Sequence, residues 1–308
     1  MKKSFTFADT SGKQIFGIKW LPDHISPKAV VQISHGMAEH SNRYDKFARF
    51  LNKDGFAVYA HDHRGHGETD PDQLGFVDTE DGFQLQVVNV FDFKEVIKQE
   101  QPGLPHIMLG HSMGSFLLQR YFQIYEDSPA AIIYSGSNGR PPVLTNAGIL
   151  LSEFLKNLYG PKKKSTFLHN LMFKPFNNHF KPNRTAADWL SRDQKSVNRY
   201  IMDPNCGFIS TVSFYNHFLK GIKNIHKEEP FFRHNSNTPI LLISGDSDPV
   251  SNMGKGVKEL EKILINSGAG HVDRKLYTGA RHELLHETNN KQVMIDIVKW
   301  INQVLPFE

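Results

Sequence analysis

Residues 106 to 115 combine a strand-like apolar run with residue types that can carry out nucleophilic chemistry. They read His-Ile-Met-Leu-Gly-His-Ser-Met-Gly-Ser, which contains a G-x-S-x-G turn. A serine that attacks an acyl carbon must stand clear of its neighbours, so the positions two before and two after it leave little room for side chains. Gly110 and Gly114 occupy these positions. Apolar residues at helical spacing follow, from Phe116 to Tyr125. The pattern predicts a nucleophile elbow, with Ser112 between a strand and a helix N-terminus.

A serine nucleophile needs a base and a group that orients the base. In α/β-hydrolases these residues follow one another in the order Ser, Asp, His. Two carboxylates, Asp246 and Asp248, come directly after an apolar run, and His282 follows a later one. We select Asp248 because it fits the turn that α/β-hydrolases have after this strand. Asp246 comes early in that turn and is expected to cap it through local backbone hydrogen bonds. The predicted triad is Ser112, Asp248 and His282.

Acyl transfer also requires two backbone N–H donors aimed at the developing oxyanion. Met113, the residue after the predicted nucleophile, supplies the first donor. The loop after the apolar run 29–34 supplies the second, and we assign it to Met37, which follows the pair His35-Gly36. Gly36 would permit the tight backbone path that such a loop needs.

The spacing of apolar runs indicates how these residues are positioned. The chain has 308 residues, of which 39% are hydrophobic, which is enough for one large core or two modest ones. Short apolar runs alternate with helix-like segments, a pattern that favours βα units around a mainly parallel sheet. The predicted strands are Phe16–Leu21, Ala29–Ser34, Ala57–His61, Ile107–Leu109, Ala130–Ser135, Pro239–Ser244 and Arg274–Tyr277.

The segment 139–232 interrupts this alternation. Aromatic and basic residues cluster there, prolines recur, and no clear strand is visible. We therefore predict a hydrolase core formed by 1–138 and 233–308, with 139–232 inserted as a helical cap over the carboxyl ends of the strands. The phenylalanines of this segment would suit a lid that faces lipid, although ordinary core packing explains them equally well.

Charge and composition limit the partners of this chain. The net charge of +4 is mild, and we expect no nucleic-acid partner. The tight cationic run Lys162–Lys164 is expected to be a solvated face, with contact to an anionic membrane surface as the alternative. No stretch approaches 18 apolar residues, and the first residues lack the apolar run of a signal peptide, so a cytoplasmic protein is expected. The single cysteine, Cys206, excludes an internal disulfide and a Cys-rich zinc site.

Residues 282–286 offer a competing interpretation, because they read His-Glu-Leu-Leu-His and match the zinc-protease signature H-E-x-x-H. A zinc site would need His282 and His286 on one helical face, Glu283 as general base and a third ligand further along the chain. The extended motif has glycine and histidine where this chain has Asn289 and Gln292. We therefore expect no zinc site in this segment.

A second histidine-rich segment, 61–67, reads His-Asp-His-Arg-Gly-His-Gly. Metallo-β-lactamase-type sites use H-x-H-x-D-H, but Gly65 stands where the carboxylate would be needed. We predict instead a turn whose polar side chains brace loops near the active site by hydrogen bonding, and we expect no metal and no cofactor.

Five blocks in this order resemble the monoacylglycerol lipase and lysophospholipase-like branch of the α/β-hydrolases, which is also grouped with serine aminopeptidases. The blocks are His35-Gly36-Met37-Ala38-Glu39-His40 with Arg43-Tyr44, His61-Asp62-His63-Arg64-Gly65-His66-Gly67, Gly110-His111-Ser112-Met113-Gly114, Gly245-Asp246-Ser247-Asp248 and Gly279-Ala280-Arg281-His282-Glu283. The resemblance implies the α/β-hydrolase fold, the same triad and a helical lid over an acyl-binding tunnel.

The resemblance further implies that Glu39 and Arg43 bind the polar alcohol part of the substrate, with a local salt bridge that braces the loop as the alternative. Two departures from the pattern of this family bear on which substrate fits the site. Met37 stands where these lipases usually have a small residue, and Leu285 stands where a histidine often lines the glycerol site.

The sequence thus predicts a metal-independent serine esterase that acts on small lipid esters of the monoacylglycerol or lysophospholipid type. The alternatives are a general short-chain carboxylesterase, an aminopeptidase that cleaves small amides, a zinc hydrolase, or a nonenzymatic receptor that retains the fold.

Overall fold

The computed structural model describes residues 1–126, 128–227 and 237–306. Within them, eight strands form one sheet in the order β1-β2-β4-β3-β5-β6-β7-β8. The pairs β1–β2 and β2–β4 are antiparallel, and the other neighbours are parallel, so the predicted mainly parallel sheet is confirmed. The strands are β1 Lys2–Ala8, β2 Gln14–Trp20, β3 Ala29–Ser34, β4 Phe56–His61, β5 His106–His111, β6 Ala131–Ser135, β7 Ile240–Gly245 and β8 Val272–Tyr277.

Helices cover both faces of the sheet. They are α1 Asp45–Lys53, α2 Gly82–Glu100, α3 Met113–Ile124, α4 Thr145–Tyr159, α5 Thr166–Asn178, α6 Gln194–Met202, α7 Val212–Ile225, α8 Lys255–Asn266 and α9 Asn290–Val304. Helices α1 and α9 pack on one face, and α2, α3 and α8 pack on the other. Because both faces are covered, every residue of β3, β4, β6 and β7 is buried, which explains the continuous apolar runs in the sequence.

Strand β1 was absent from the predicted strands. It lies at the edge of the sheet and pairs only with β2 among the described residues, and five of its seven positions are exposed. An edge strand with one covered face alternates apolar and polar residues, so Phe5 and Phe7 do not form a run.

The chain between β6 and β7 holds α4, α5, α6 and α7, and its described residues contain no named strand. Helix α7 packs against α4 and also against α2 and α3 of the sheet's helical layer. The Ser165 and Thr211 side chains cap the N-termini of α5 and α7. The predicted cap boundary at 232–233 lies outside the described residues, and the division into core and cap stays a prediction.

None of the helices in the described ranges is both long enough and apolar enough to cross a bilayer.

The histidine-rich segment after β4 forms a buried turn next to the loop that follows β3. The His63 backbone N–H donates to His35 Nε2 at 3.0 Å, and the Ser34 hydroxyl lies 3.0 Å from His63 Nε2. The Asp62 carboxylate accepts the backbone N–H groups of Ser41 and Glu68. The predicted bracing role of this turn is therefore confirmed.

Burial keeps this group of rings neutral and makes the fold sensitive to acid. Burial lowers the pKa of His35 to about 4 and the pKa of His61 and of His66 to about 3. In the unfolded chain each would titrate near 6.5, so the unfolded state binds more protons as the pH falls below that value. Stability is therefore present above pH 6.5 and is lost progressively toward pH 4, by up to about 1.4 kcal/mol per pH unit for each histidine.

His61→Leu is expected to weaken this acid sensitivity. Neither ring nitrogen of His61 has a hydrogen-bond partner in the described part of the chain, so the substitution removes a titrating group without breaking a bond. Urea unfolding at pH 7.0, 6.0 and 5.0 should show that the unfolding free energy of the variant declines less steeply as the pH falls. The difference in slope should correspond to the uptake of about one proton fewer on unfolding. Equal slopes for variant and wild type would contradict this account.

Candidate active site

The G-x-S-x-G segment forms the sharp turn that its sequence predicts. Ser112 lies between β5 and α3 with φ +50° and ψ −118°, a conformation that L-residues rarely adopt. A Cβ on Gly114 would lie 2.0 Å from the Ser34 carbonyl oxygen, and one on Gly110 would lie 2.7 Å from the Gly114 carbonyl oxygen. Both positions therefore require glycine, because the backbone passes too closely for any side chain.

The turns after β7 and β8 bring Asp248 and His282 together. Nδ1 of His282 lies 3.0 Å from each carboxylate oxygen of Asp248, and both side chains are buried. The Val250 backbone N–H and the Ser244 hydroxyl also donate to the Asp248 carboxylate. These bonds hold the carboxylate in one orientation, which in turn fixes the proton of His282 on Nδ1 and leaves Nε2 as the basic atom.

Asp246, the other carboxylate of this turn, points elsewhere. Its Oδ1 accepts the Gly279 backbone N–H at 2.7 Å and the Ser247 hydroxyl at 3.1 Å. This aspartate therefore ties the turn after β7 to the loop after β8, through a backbone N–H 33 residues away and not through the local backbone bonds that the sequence predicted.

The pKa of His282 is raised above its ordinary value by its surroundings. Burial lowers the pKa of this histidine, but the charge and the hydrogen bond of Asp248, together with the charge of Glu283, outweigh that effect. An imidazole with a raised pKa is a stronger proton acceptor, which suits a general base.

Ser112 and His282 line the same cavity. Between these two residues, both in the described ranges, no direct hydrogen bond is formed. The His111 ring lies against the His282 ring with centroids 4.8 Å apart. Catalytic hydrogen bonds are often long before a substrate binds, so this arrangement is compatible with proton transfer in the loaded site.

Two backbone N–H groups beside Ser112 are available to an oxyanion. Met113 is the first residue of α3, where amides have no partner within the helix. Met37 lies in the loop after β3, and within the described residues its N–H donates to no protein acceptor. The structure thus places both sequence-predicted donors next to Ser112, at the positive end of the α3 dipole.

Glu39 and Arg43 belong to a buried ion network. Arg43 donates to Glu39 at 2.7 Å and makes two further bonds of 2.7 Å to the Glu283 carboxylate. Glu39 also accepts from the Gly36 backbone N–H and the Tyr44 hydroxyl. The predicted salt bridge is present and joins the Met37 loop to the His282 loop, whereas binding of the substrate alcohol by these two residues stays a prediction.

Sequence reasoning did not single out two residues that contact or support His282. The Trp189 ring lies over the His282 ring, with centroids 5.1 Å apart and an interplanar angle of 30°. Glu283, which falls in a resemblance block and in the zinc motif but was not paired with any residue from the sequence, is the bidentate partner of Arg43. The aromatic clustering in 139–232 was the one signal for Trp189, and it could not say which aromatic side chain faces the site.

The two histidine motifs do not gather metal ligands. Residues Leu284–His286 form a short 3-10 helix, while His282 is bound to Asp248 and Glu283 to Arg43. Across the described ranges, the three-residue group close enough to hold an ion is His40, Asp203 and Cys206, with His40 already bonded to Asp203 at 2.9 Å.

Two cavities meet at Ser112, and Met37, Phe173 and Trp189 line both. The smaller, about 270 Å³, also touches His282, Glu39 and His169 of α5. The larger, about 580 Å³, extends between the 139–232 segment and α3 and is mostly apolar, and His282 is not part of its lining. The bulky Met37 is thus one of the residues that the two cavities share.

Comparisons with known proteins agree with this geometry. Residues 25–289 match the family model described as serine aminopeptidase, S33. The chain is 30% identical over 305 residues to the monoglyceride lipase of Homo sapiens, which covers 96% of this chain and 89% of that protein. It is 27% identical over 312 residues to the monoacylglycerol lipase of Mycolicibacterium smegmatis, covering 97% of each. A thermostable carboxyl esterase from Bacillus coagulans, solved with glycerol, superposes with a TM-score of 0.87 at 25% identity and covers 98% of both chains.

Proposed function

This chain belongs to the serine aminopeptidase S33 family of α/β-hydrolases, and we propose that it cleaves monoacylglycerols through an acyl-enzyme formed on Ser112. The α/β-hydrolase fold predicted from the sequence is confirmed, and the chain is a serine carboxylic ester hydrolase. The proposal rests on the buried Asp248–His282 pair. His282 of this pair lines the same cavity as Ser112, which lies on a strained elbow.

In the proposed mechanism, Ser112 Oγ attacks the ester carbonyl carbon while His282 Nε2 accepts the hydroxyl proton. The carbonyl oxygen becomes an oxyanion and accepts hydrogen bonds from the Met37 and Met113 amides. When the C–O bond breaks, His282 returns the proton to the leaving alcohol. Water then loses a proton to His282 and attacks the acyl-enzyme, which releases the fatty acid and regenerates Ser112. Asp248 stabilises the imidazolium that forms in each step.

The two cavities divide the substrate between them. The leaving alcohol must lie within reach of His282, which protonates it, and the smaller cavity is the one that touches His282. The acyl chain then occupies the larger apolar cavity of about 580 Å³. A monoacylglycerol matches this division because it has one long apolar part and one compact polar part.

The cap supplies a surface that fits a lipid aggregate. Nine large hydrophobic side chains in its described part are each more than half exposed, and they are Val143, Leu144, Leu150, Phe154, Leu158, Tyr159, Phe167, Leu171 and Met202. The exposed Lys162–Lys164 run begins three residues after the end of α4. This combination supports transient contact with an anionic membrane surface, which vesicle sedimentation tests: protein that stays in the supernatant with phosphatidylglycerol vesicles would contradict it. A cytoplasmic location stays a prediction.

Fatty acid release from a monoacylglycerol, lysophosphatidylcholine and a short-chain soluble ester, measured side by side, tests the proposed substrate. We expect the highest kcat/KM for the monoacylglycerol. Turnover of the short ester alone would identify a general carboxylesterase whose cap excludes long chains. Release of amine from an aminoacyl amide in preference to any ester would identify an aminopeptidase instead.

A further inference from the structure

The smaller cavity needs a polar group that can recognise an alcohol, and the residues first expected there are already engaged. The carboxylates of Glu39 and Glu283 are bonded to Arg43, and Arg43 itself does not line this cavity. Leu285 is buried in the hydrophobic core, and His286 lines a separate cavity beside Arg199. The loop after β8 therefore offers no free side-chain donor to a leaving alcohol.

His169, on α5 of the cap, lies in the wall of this cavity. It is half-buried, and its ring packs on the Phe173 ring with centroids 5.0 Å apart. Its Nδ1 lies 3.2 Å from the Tyr215 hydroxyl, whereas within the described part of the chain its Nε2 has no hydrogen-bond partner. One nitrogen is thus held by the protein and the other is free.

The Tyr215 hydroxyl determines which nitrogen of His169 carries the proton. This hydroxyl is buried, and its oxygen accepts the Ser210 backbone N–H at 3.3 Å. A buried O–H is costly to leave without an acceptor. His169 Nδ1, which lies 3.2 Å from the Tyr215 oxygen, can accept the proton of this hydroxyl. Assigning the Tyr215 proton to Nδ1 places the proton of the neutral His169 ring on Nε2.

We propose that His169 Nε2–H donates a hydrogen bond to a free hydroxyl of the leaving alcohol, the part of the substrate that His282 protonates. This bond makes the enzyme prefer polyol esters over simple alkyl esters. This donor comes from the cap and takes the place of the histidine that related lipases often have at the position of Leu285. This inference rests on the proposed division of the substrate between the two cavities. It identifies a specificity-determining residue and gives His169 no role in the bond-breaking steps.

The test compares esters that share an acyl group and differ in the alcohol. For His169→Leu, kcat/KM for a 1-monoacylglycerol should fall about tenfold, the usual loss for one hydrogen bond, mainly through KM. The methyl ester of the same acid should change less than about twofold. An equal fall for both esters, or no fall for either, would overturn the proposal. His169→Gln, which keeps an N–H donor of similar reach, should recover most of the loss.

Tyr215→Phe provides a matched control for the proton position. It leaves the His169 ring in place but removes the O–H that fixes the tautomer, so the selectivity for the glycerol ester should fall partway. Thermal unfolding of each variant shows whether the cap remains folded. Selectivity in Tyr215→Phe equal to wild type would contradict the assigned tautomer, while the His169→Leu result would still test the residue.

A short-chain pair separates this inference from the proposed function. Glycerol monobutyrate and methyl butyrate should show the same His169-dependent preference, because the inference concerns the alcohol and not the acyl chain. If the long-chain monoacylglycerol is not cleaved but this pair still responds to His169→Leu, the proposed substrate is wrong and the inference stands. If wild-type enzyme does not prefer either glycerol ester to its methyl ester, the inference is wrong whatever the acyl preference.

Discussion

Ser112→Ala is expected to lower kcat for ester hydrolysis by about five to six orders of magnitude. Removal of the nucleophile from a serine triad costs about as much as removal of the whole triad, because the members act as one unit. The substitution deletes one oxygen and keeps the Cβ, so the strained elbow at φ +50° should form as before. Titration of released fatty acid under substrate saturation measures the effect, and thermal unfolding confirms that the variant is folded.

A fluorophosphonate probe and a chelator complete this experiment. The probe should add covalently to wild-type protein and not to Ser112→Ala, as mass spectrometry of the intact chain would show. EDTA should leave wild-type activity unchanged, since His282 and Glu283 are bound to Asp248 and Arg43. Near wild-type hydrolysis by Ser112→Ala would refute the mechanism, and loss of activity on chelation would restore the zinc interpretation of residues 282–286.

The elbow and the Asp248–His282 pair could be predicted because each depends on local sequence. Gly110 and Gly114 are required by backbone contacts within a few residues of Ser112 and with β3. Asp248 and His282 each follow a strand of a parallel sheet, and the carboxyl ends of such strands meet at one edge. Local patterns of this kind can be interpreted from the sequence once the fold class is known.

The support for His282 could not be predicted, because it depends on contacts between distant parts of the chain. Glu39 and Arg43 are four residues apart and could be paired by inspection, but Glu283 lies 240 residues from Arg43. The packing of Trp189 on His282 depends on the tertiary arrangement of the segment 139–232, which the spacing of its apolar residues does not reveal. Neither His169 nor its bond to Tyr215 could be recognised for the same reason.

In the proposed mechanism Asp248 acts through its effect on His282, and the choice between Asp248 and Asp246 can be tested directly. Asp248→Asn keeps the shape of the side chain, but an amide N–H facing Nδ1 would favour the tautomer with its proton on Nε2. That tautomer cannot accept the Ser112 proton. By analogy with the same substitution in other serine triads, kcat should fall by about four orders of magnitude.

The pH dependence gives an independent signature of the same residue. His282 acts as a base only when neutral, so in wild-type enzyme kcat/KM falls as the pH drops through its pKa, which lies above 6.5 because the Asp248 carboxylate outweighs burial. In Asp248→Asn the burial remains and the carboxylate charge is gone, so the acid limb of the residual activity should move to lower pH. Asp246→Asn is the matched control, since its amide oxygen can still accept the Gly279 N–H and its carboxylate does not face His282. It should retain activity within a few fold and an unchanged acid limb. A collapse in Asp246→Asn with near-normal activity in Asp248→Asn would reverse the assignment.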